Sequence, residues 1–222
     1  MEVTILGRGK SLSKLKHFKS NSNEVILVNS FWKSPELSDN AYVNDPIINN
    51  FLKKKKVTLV MSPIGIGEGG KPTPSPKEFD EKYNVQNKYN CMFSKGRRSN
   101  LTRTPGWQVM PESSRLLYQS IGDAKIKKTG DFVPGSLAYA CLIAISEMNA
   151  SNIHIFGLDF YEKGYLQKQN HSQAVMDSHY GKNAVIQNKI DFCNFFNFLS
   201  DISFDIYTAA DFTCSSPHIS VL

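Results

Sequence analysis

The sequence has no apolar run long enough to span a bilayer, no CxxC pair and no DxD triplet. The first absence leaves no transmembrane helix to expect. The opening MEVTILGRGKSL also lacks the basic stretch and long apolar stretch of a signal peptide. A cytoplasmic protein is the expectation, with a basic excess that would suit the anionic surface of an inner membrane. Only four cysteines occur, Cys91, Cys141, Cys193 and Cys214, widely spaced and not clustered with histidine as zinc ligands. They read as reduced thiols, with Cys141 and Cys193 inside apolar helical patterns and therefore buried. The missing acidic triplet removes the usual carboxylates that hold a divalent metal against a departing diphosphate. No metal and no cofactor are expected.

The 222 residues suit one domain spanning 1–222. With 41% apolar and 11% aromatic residues the chain can build a core. A net charge of +6 and a pI near 9.0 favour anionic partners. The lysine run 53–56 reads as a solvated helix end. No RNP, KH or helix-turn-helix pattern accompanies it, so nucleic acid is not expected as a partner.

Apolar runs at 3–6, 24–28, 57–61, 153–156 and 202–207 read as strands. Helical spacing appears at 46–52, 111–121, 135–148 and 182–199, and a first helix is expected over 11–17 with Ser11 as its N-cap. In the 182–199 segment, Ile186, Ile190, Cys193, Phe196 and Leu199 share one face. Residues 62–111 hold six of the fourteen glycines and six of the ten prolines and read as loop. Alternating strands and helices predict an α/β fold with a mostly parallel sheet, which binds ligands beyond the carboxyl ends of its strands. Those ends are Gly7-Arg8-Gly9, Asn29, Ser62 and 157–159.

The glycine turn is not a Walker A loop, which would need glycine where Thr4 stands. Nor is it a dinucleotide fingerprint, which would need glycine in place of Leu12 and an acidic residue in place of Asn29. It is either a phosphate- or nucleoside-holding turn or a plain tight turn. Of five histidines, His17 and His154 fall on regular elements and His218 in the tail. His171 and His179 lie in a polar segment beside Tyr161, Tyr165 and Tyr180, where a neutral imidazole could take a proton from an attacking hydroxyl.

Three blocks together resemble the bacterial sialyltransferases of glycosyltransferase family 42. They are ILGRGKSL at 5–12 followed by Asn29-Ser30-Phe31; Gly135-Ser136 through IFGLDFY at 155–161; and Ser178-His179-Tyr180-Gly181. The blocks cover about half the chain, in the family's order and spacing. The resemblance implies a single Rossmann-like nucleotide-binding domain of the sialyltransferase type, a variant of the GT-A fold, with a lid over 160–181. It implies inverting transfer of sialic acid, or of a related nonulosonate or Kdo, from a CMP-sugar to a hydroxyl of an acceptor glycan or glycolipid. It implies His179 as general base, and Tyr161 and Tyr165 as donors to the CMP phosphate. Ser136 would contact the donor near its phosphate or carboxylate, and Asn29 would bind the cytidine. Gly7, Arg8, Gly9, Ser62 and Asp159 complete the implied donor site, with Gly7 and Gly9 letting the backbone approach the nucleotide.

The chain departs from the family in having Arg8 and Ser62 where asparagines are usual, and Val133 where an arginine is usual. Related nucleotide-binding enzymes, flagellin-modifying or pterin-pyrophosphokinase-like, and a non-catalytic nucleotide- or glycan-binding module are the alternatives. Peripheral membrane contact and homo-oligomerisation are compatible with the sequence.

Overall fold

The computed structural model describes residues 1–32, 41–61, 74–91, 105–123, 135–160, 162, 166 and 182–222. These form one eight-stranded sheet in the order β5-β4-β3-β2-β1-β6-β7-β8. The strands are β1 (Glu2–Leu6), β2 (Glu24–Val28), β3 (Lys56–Met61), β4 (Val85–Asn90), β5 (Gln108–Val109), β6 (Asn152–Phe156), β7 (Ser203–Tyr207) and β8 (Ile219–Val221). Every pairing is parallel, as the alternating pattern predicts. The chain runs outward from β1 to β5 on one side, then returns to β6 on the other. The order therefore reverses between β1 and β6, which makes a crevice at their carboxyl ends.

Alternation along β1 feeds two cores. Val3 and Ile5 join Ile153 and Ile155 of β6 beneath α4 (Ser136–Met148) and α5 (Lys182–Phe198). Leu6 joins Val25, Leu27 and Leu59 on the opposite face, under a 3₁₀ helix (Lys10–His17) and α1 (Pro46–Leu52). Sheets covered on both faces have strands that read as continuous apolar runs, which is why β1, β2, β3 and β6 were legible. In α1, Asp45 accepts from the amides of Ile47 (2.8 Å) and Ile48 (3.3 Å) and Pro46 sits at the first turn, so both ends match the sequence expectation.

Several expectations are corrected. The first helix is 3₁₀, and its N-cap is Gly9 instead of Ser11. Ser11 instead uses its hydroxyl to accept from the Gly157 amide (2.9 Å). The stretch read as loop contains α2 (Lys77–Lys82), β4 and β5. The residues of β4 are VQNKYN, an edge-side strand whose polar positions conceal it. The chain also ends on a further strand, β8, which extends the sheet past β7. The predicted helix at 111–121 is α3 (Glu112–Asp123). In α5, Ile186 and Ile190 are exposed, and the buried face is Phe192, Phe195 and Phe196, continued by Leu199 just past its end.

The cysteines are not all thiols. Cys193 of α5 is bonded to Cys214 in the segment between β7 and β8. Cys91 and Cys141 are free and buried, and burial pushes both thiols well above their ordinary value. The unfolded chain would ionise these thiols near 9.0, whereas the folded chain keeps them neutral. Their contribution to stability is therefore complete below that pH and is lost as pH rises above it. Thiol titration checks the assignment. The native protein should show no rapidly reacting thiol among these four, two on denaturation without reductant, and four after reduction. Four thiols in the unreduced denatured chain would contradict the disulfide. Among the described residues, no helix is long and apolar enough to cross a membrane.

Candidate active site

The loops after β1 and β6 meet at the crevice in close backbone contact. The amide of Gly7 donates to the Phe156 carbonyl (2.7 Å) and that of Gly9 to the Gly157 carbonyl (3.1 Å). A β-carbon on Gly7 would lie 2.7 Å from the Gly157 oxygen, and one on Gly9 would lie 2.3 Å from Asp159 Oδ2 and 2.8 Å from the Gly157 oxygen. Gly157 itself adopts φ +78°, a left-handed conformation that favours glycine. The sequence reading gave Gly7 and Gly9 to close approach of a nucleotide. In the structure the space their missing side chains leave is filled by the neighbouring loop.

Asp159 is 2% exposed and joins three loops. Its Oδ2 accepts from the Ser11 amide (2.8 Å), and its Oδ1 accepts from the Ala209 amide (2.8 Å) and the Thr208 hydroxyl (3.1 Å). A buried carboxylate needs such donors, and here all three come from the protein. Ser11 and Thr208 are parts of this rim that sequence reasoning missed. An apolar 3₁₀ face and a threonine after a strand carry no signal of their own.

Arg8 sits between the two glycines and is 4% exposed, a permanent positive charge within the rim. Its carbonyl accepts from the Tyr42 hydroxyl and from the Leu166 amide, each at 3.0 Å. The second contact ties residue 166, inside the predicted lid, to the glycine turn. Asn29 ends β2 in a left-handed turn (φ 66°) and donates its amide to the Val60 carbonyl of β3 (2.8 Å). It is half-buried at the same end of the sheet.

Ser136 is the first residue of α4, after the exposed N-cap Gly135. The first turn of α4 carries no acidic side chain, and its N-cap Gly135 has no side chain with which to cap it. Its amides therefore present a partial positive charge at the rim. The Leu137 side chain comes within 3.3 Å of the position of a Gly7 β-carbon, so α4 begins beside the β1 turn. The structure thus brings Gly7, Arg8, Gly9, Asn29, Ser136 and Asp159 to one end of the sheet. Ser62, Tyr161, Tyr165 and His179, and the lid apart from 160, 162 and 166, lie outside the described residues.

No protein-family model matches the chain, and no curated protein matches it in sequence. Solved structures do. The sialyltransferase Cst-II in complex with a trisaccharide acceptor and CMP matches with a TM-score of 0.55 at 16% identity, over 93% of this chain and 81% of that one. Monomeric CstII matches at 0.58 and 16%, over 100% and 89%. The monofunctional α-2,3-sialyltransferase Cst-I of Campylobacter jejuni matches at 0.55 and 18%, over 98% and 78%. The fold is that of these sialyltransferases. The crevice of this chain, with its glycine turn, Asn29 and the start of α4, is set in that same architecture.

His17 is exposed on the 3₁₀ helix. His154 is buried in β6, its Nε2 3.0 Å from Glu2 Oε1 and its Nδ1 3.0 Å from Asp205 Oδ2. His218 hydrogen-bonds Ser216 (2.9 Å) and the Phe196 carbonyl (3.1 Å). These partners give the last two histidines structural surroundings within the sheet and its edge.

Proposed function

We propose that the chain is an inverting glycosyltransferase that moves sialic acid, or a related nonulosonate or Kdo, from a CMP-sugar to a hydroxyl of an acceptor glycan. The observation that carries this reading is the match, over 93–100% of the chain, to sialyltransferases solved with CMP, one of them also with an acceptor trisaccharide. The rim supports it. Asn29 takes the cytidine, while Ser136 and the amides of the first turn of α4 hold the phosphate or carboxylate.

The chemistry needs two things. The sugar carbon gains positive charge as the monophosphate departs, so the departing phosphate must be held, and the attacking hydroxyl must lose its proton. Tyr161 and Tyr165 hydrogen-bond the phosphate in this reading, and His179 takes the proton. A departing monophosphate carries less charge than a diphosphate. Hydroxyls and backbone amides can then stabilise it without a metal ion.

The test is release of CMP from CMP-N-acetylneuraminic acid and CMP-Kdo in EDTA, with galactosides and sialosides offered as acceptors. Release above spontaneous hydrolysis, matched by a new glycoside, is expected. A protein that is inert with both donors but forms AMP from magnesium-ATP by moving the pyrophosphoryl group to the hydroxyl of an added hydroxymethylpterin would be a pyrophosphokinase-like enzyme instead.

A further inference from the structure

We infer that Thr208, the first residue after β7, is a positioning residue for the donor site, acting through Asp159. This inference rests on the CMP-donor reading above. Thr208 is 6% exposed. Its hydroxyl lies 2.8 Å from the Leu158 carbonyl and 3.1 Å from Asp159 Oδ1, and it accepts from the Ala210 amide (3.0 Å). Its single proton is shared between the two acceptors. The neighbouring Ala209 amide reaches the same carboxylate oxygen (2.8 Å), and the other carboxylate oxygen holds the Ser11 amide (2.8 Å). Ser11 closes the circuit by accepting from Gly157 (2.9 Å). The loops after β1, β6 and β7 are thus one hydrogen-bonded unit with Asp159 at its centre.

The grip continues outward from Thr208. The Asp211 amide donates to Glu162 Oε2 (2.9 Å). Lys189 of α5 bridges that carboxylate (3.1 Å) and the Asp211 carbonyl. Phe212 packs on Phe160 (ring centroids 4.6 Å), which Phe192 meets from α5 (5.7 Å). Cys214 fixes the far end of the segment to Cys193. Phe160 needs this support, because it holds a left-handed φ of 50° without being glycine. It is also the residue immediately before Tyr161 in the chain. The segment 208–214 therefore holds the backbone on which the proposed phosphate-binding tyrosine follows, and it also holds the glycine turn of the donor site. None of its side chains need touch the nucleotide to do so.

Thr208→Val keeps the shape and removes the hydroxyl, whereas Thr208→Ser keeps the hydroxyl. The experiment is CMP titration of wild type and both variants at a temperature where circular dichroism shows each fully folded. The expected result is about a tenfold or greater loss of CMP affinity in Thr208→Val. Thr208→Ser should stay within about twofold of wild type. A merely structural threonine would lower the melting temperature and leave the affinity of the folded protein unchanged, and that result overturns the inference. Should Thr208→Val not fold, Phe212→Leu replaces it. That change preserves an apolar side chain, removes the ring contact with Phe160, and is expected to weaken CMP binding about threefold or more. Unchanged affinity there also overturns the inference. A wild type that does not bind CMP removes the donor reading and this inference together. A wild type that binds CMP, with variants that bind it equally well, removes the inference alone.

Discussion

Gly157→Ala is expected to destabilise the protein by at least about 3 kcal/mol, a large part of the stability of an ordinary domain. Two costs coincide. The residue holds φ +78°, where a β-carbon is disfavoured, and that β-carbon would lie 2.5 Å from both the carbon and the oxygen of the Gly7 carbonyl. These are backbone atoms of a buried strand end, so they cannot swing aside as a flexible side chain could. Relief would require separating the loops after β1 and β6, which also carry the Ser11 and Asp159 contacts. Gly135→Ala is the internal control. A β-carbon there meets no described residue within 4 Å, and φ is −58°, so the loss is expected to stay under about 1 kcal/mol, the difference between glycine and alanine as an N-cap. Urea unfolding of the two variants measures both. Equal midpoints would contradict the tight loop-on-loop packing from which the site is built.

His179→Ala is expected to lower turnover by about two to four orders of magnitude while leaving CMP affinity nearly unchanged. The acceptor hydroxyl is a poor nucleophile while it keeps its proton, and an imidazole that is neutral near pH 7 can remove it. The donor contacts proposed for Asn29, Ser136 and the start of α4 belong to other parts of the chain, so binding and chemistry should separate in this variant. Single-turnover CMP release and CMP titration, run on the same preparation, read the two effects independently. Retention of wild-type turnover would remove His179 from the mechanism and point to another base, with His171 the next to test.

Much of the central fold was legible because it obeys simple patterns. The strands β1, β2, β3 and β6 are apolar runs covered on both faces, and α1 has the bounds that its helical spacing predicts. The strands that escaped lie toward the sheet's edges. In β4 the VQNKYN pattern is too polar to read as a strand, β5 is two residues long, and β8 lies in a tail whose pairing with β7 is non-local. The Cys193–Cys214 bond escaped for a similar reason. The two cysteines are 21 residues apart, and only the return of the chain after β7 brings them together.

For the site, the glycine turn, Asn29, Ser136 and Asp159 were legible as strand and helix ends. The roles of Gly7, Gly9 and Asp159 in holding one loop against another were not, because the partner of each lies about 150 residues away and changes the meaning of a small or acidic residue. Thr208 shows the same limit of local pattern, since nothing in Tyr207-Thr208-Ala209 indicates that its hydroxyl meets Asp159, 49 residues earlier.

The most direct test of the central claim is calorimetric titration of the purified protein with CMP in EDTA, with ADP and UDP as controls. Saturable binding of CMP, preferred over both controls and unaffected by added magnesium, is expected. Absence of CMP binding, or binding of ATP that appears only with magnesium, would contradict it.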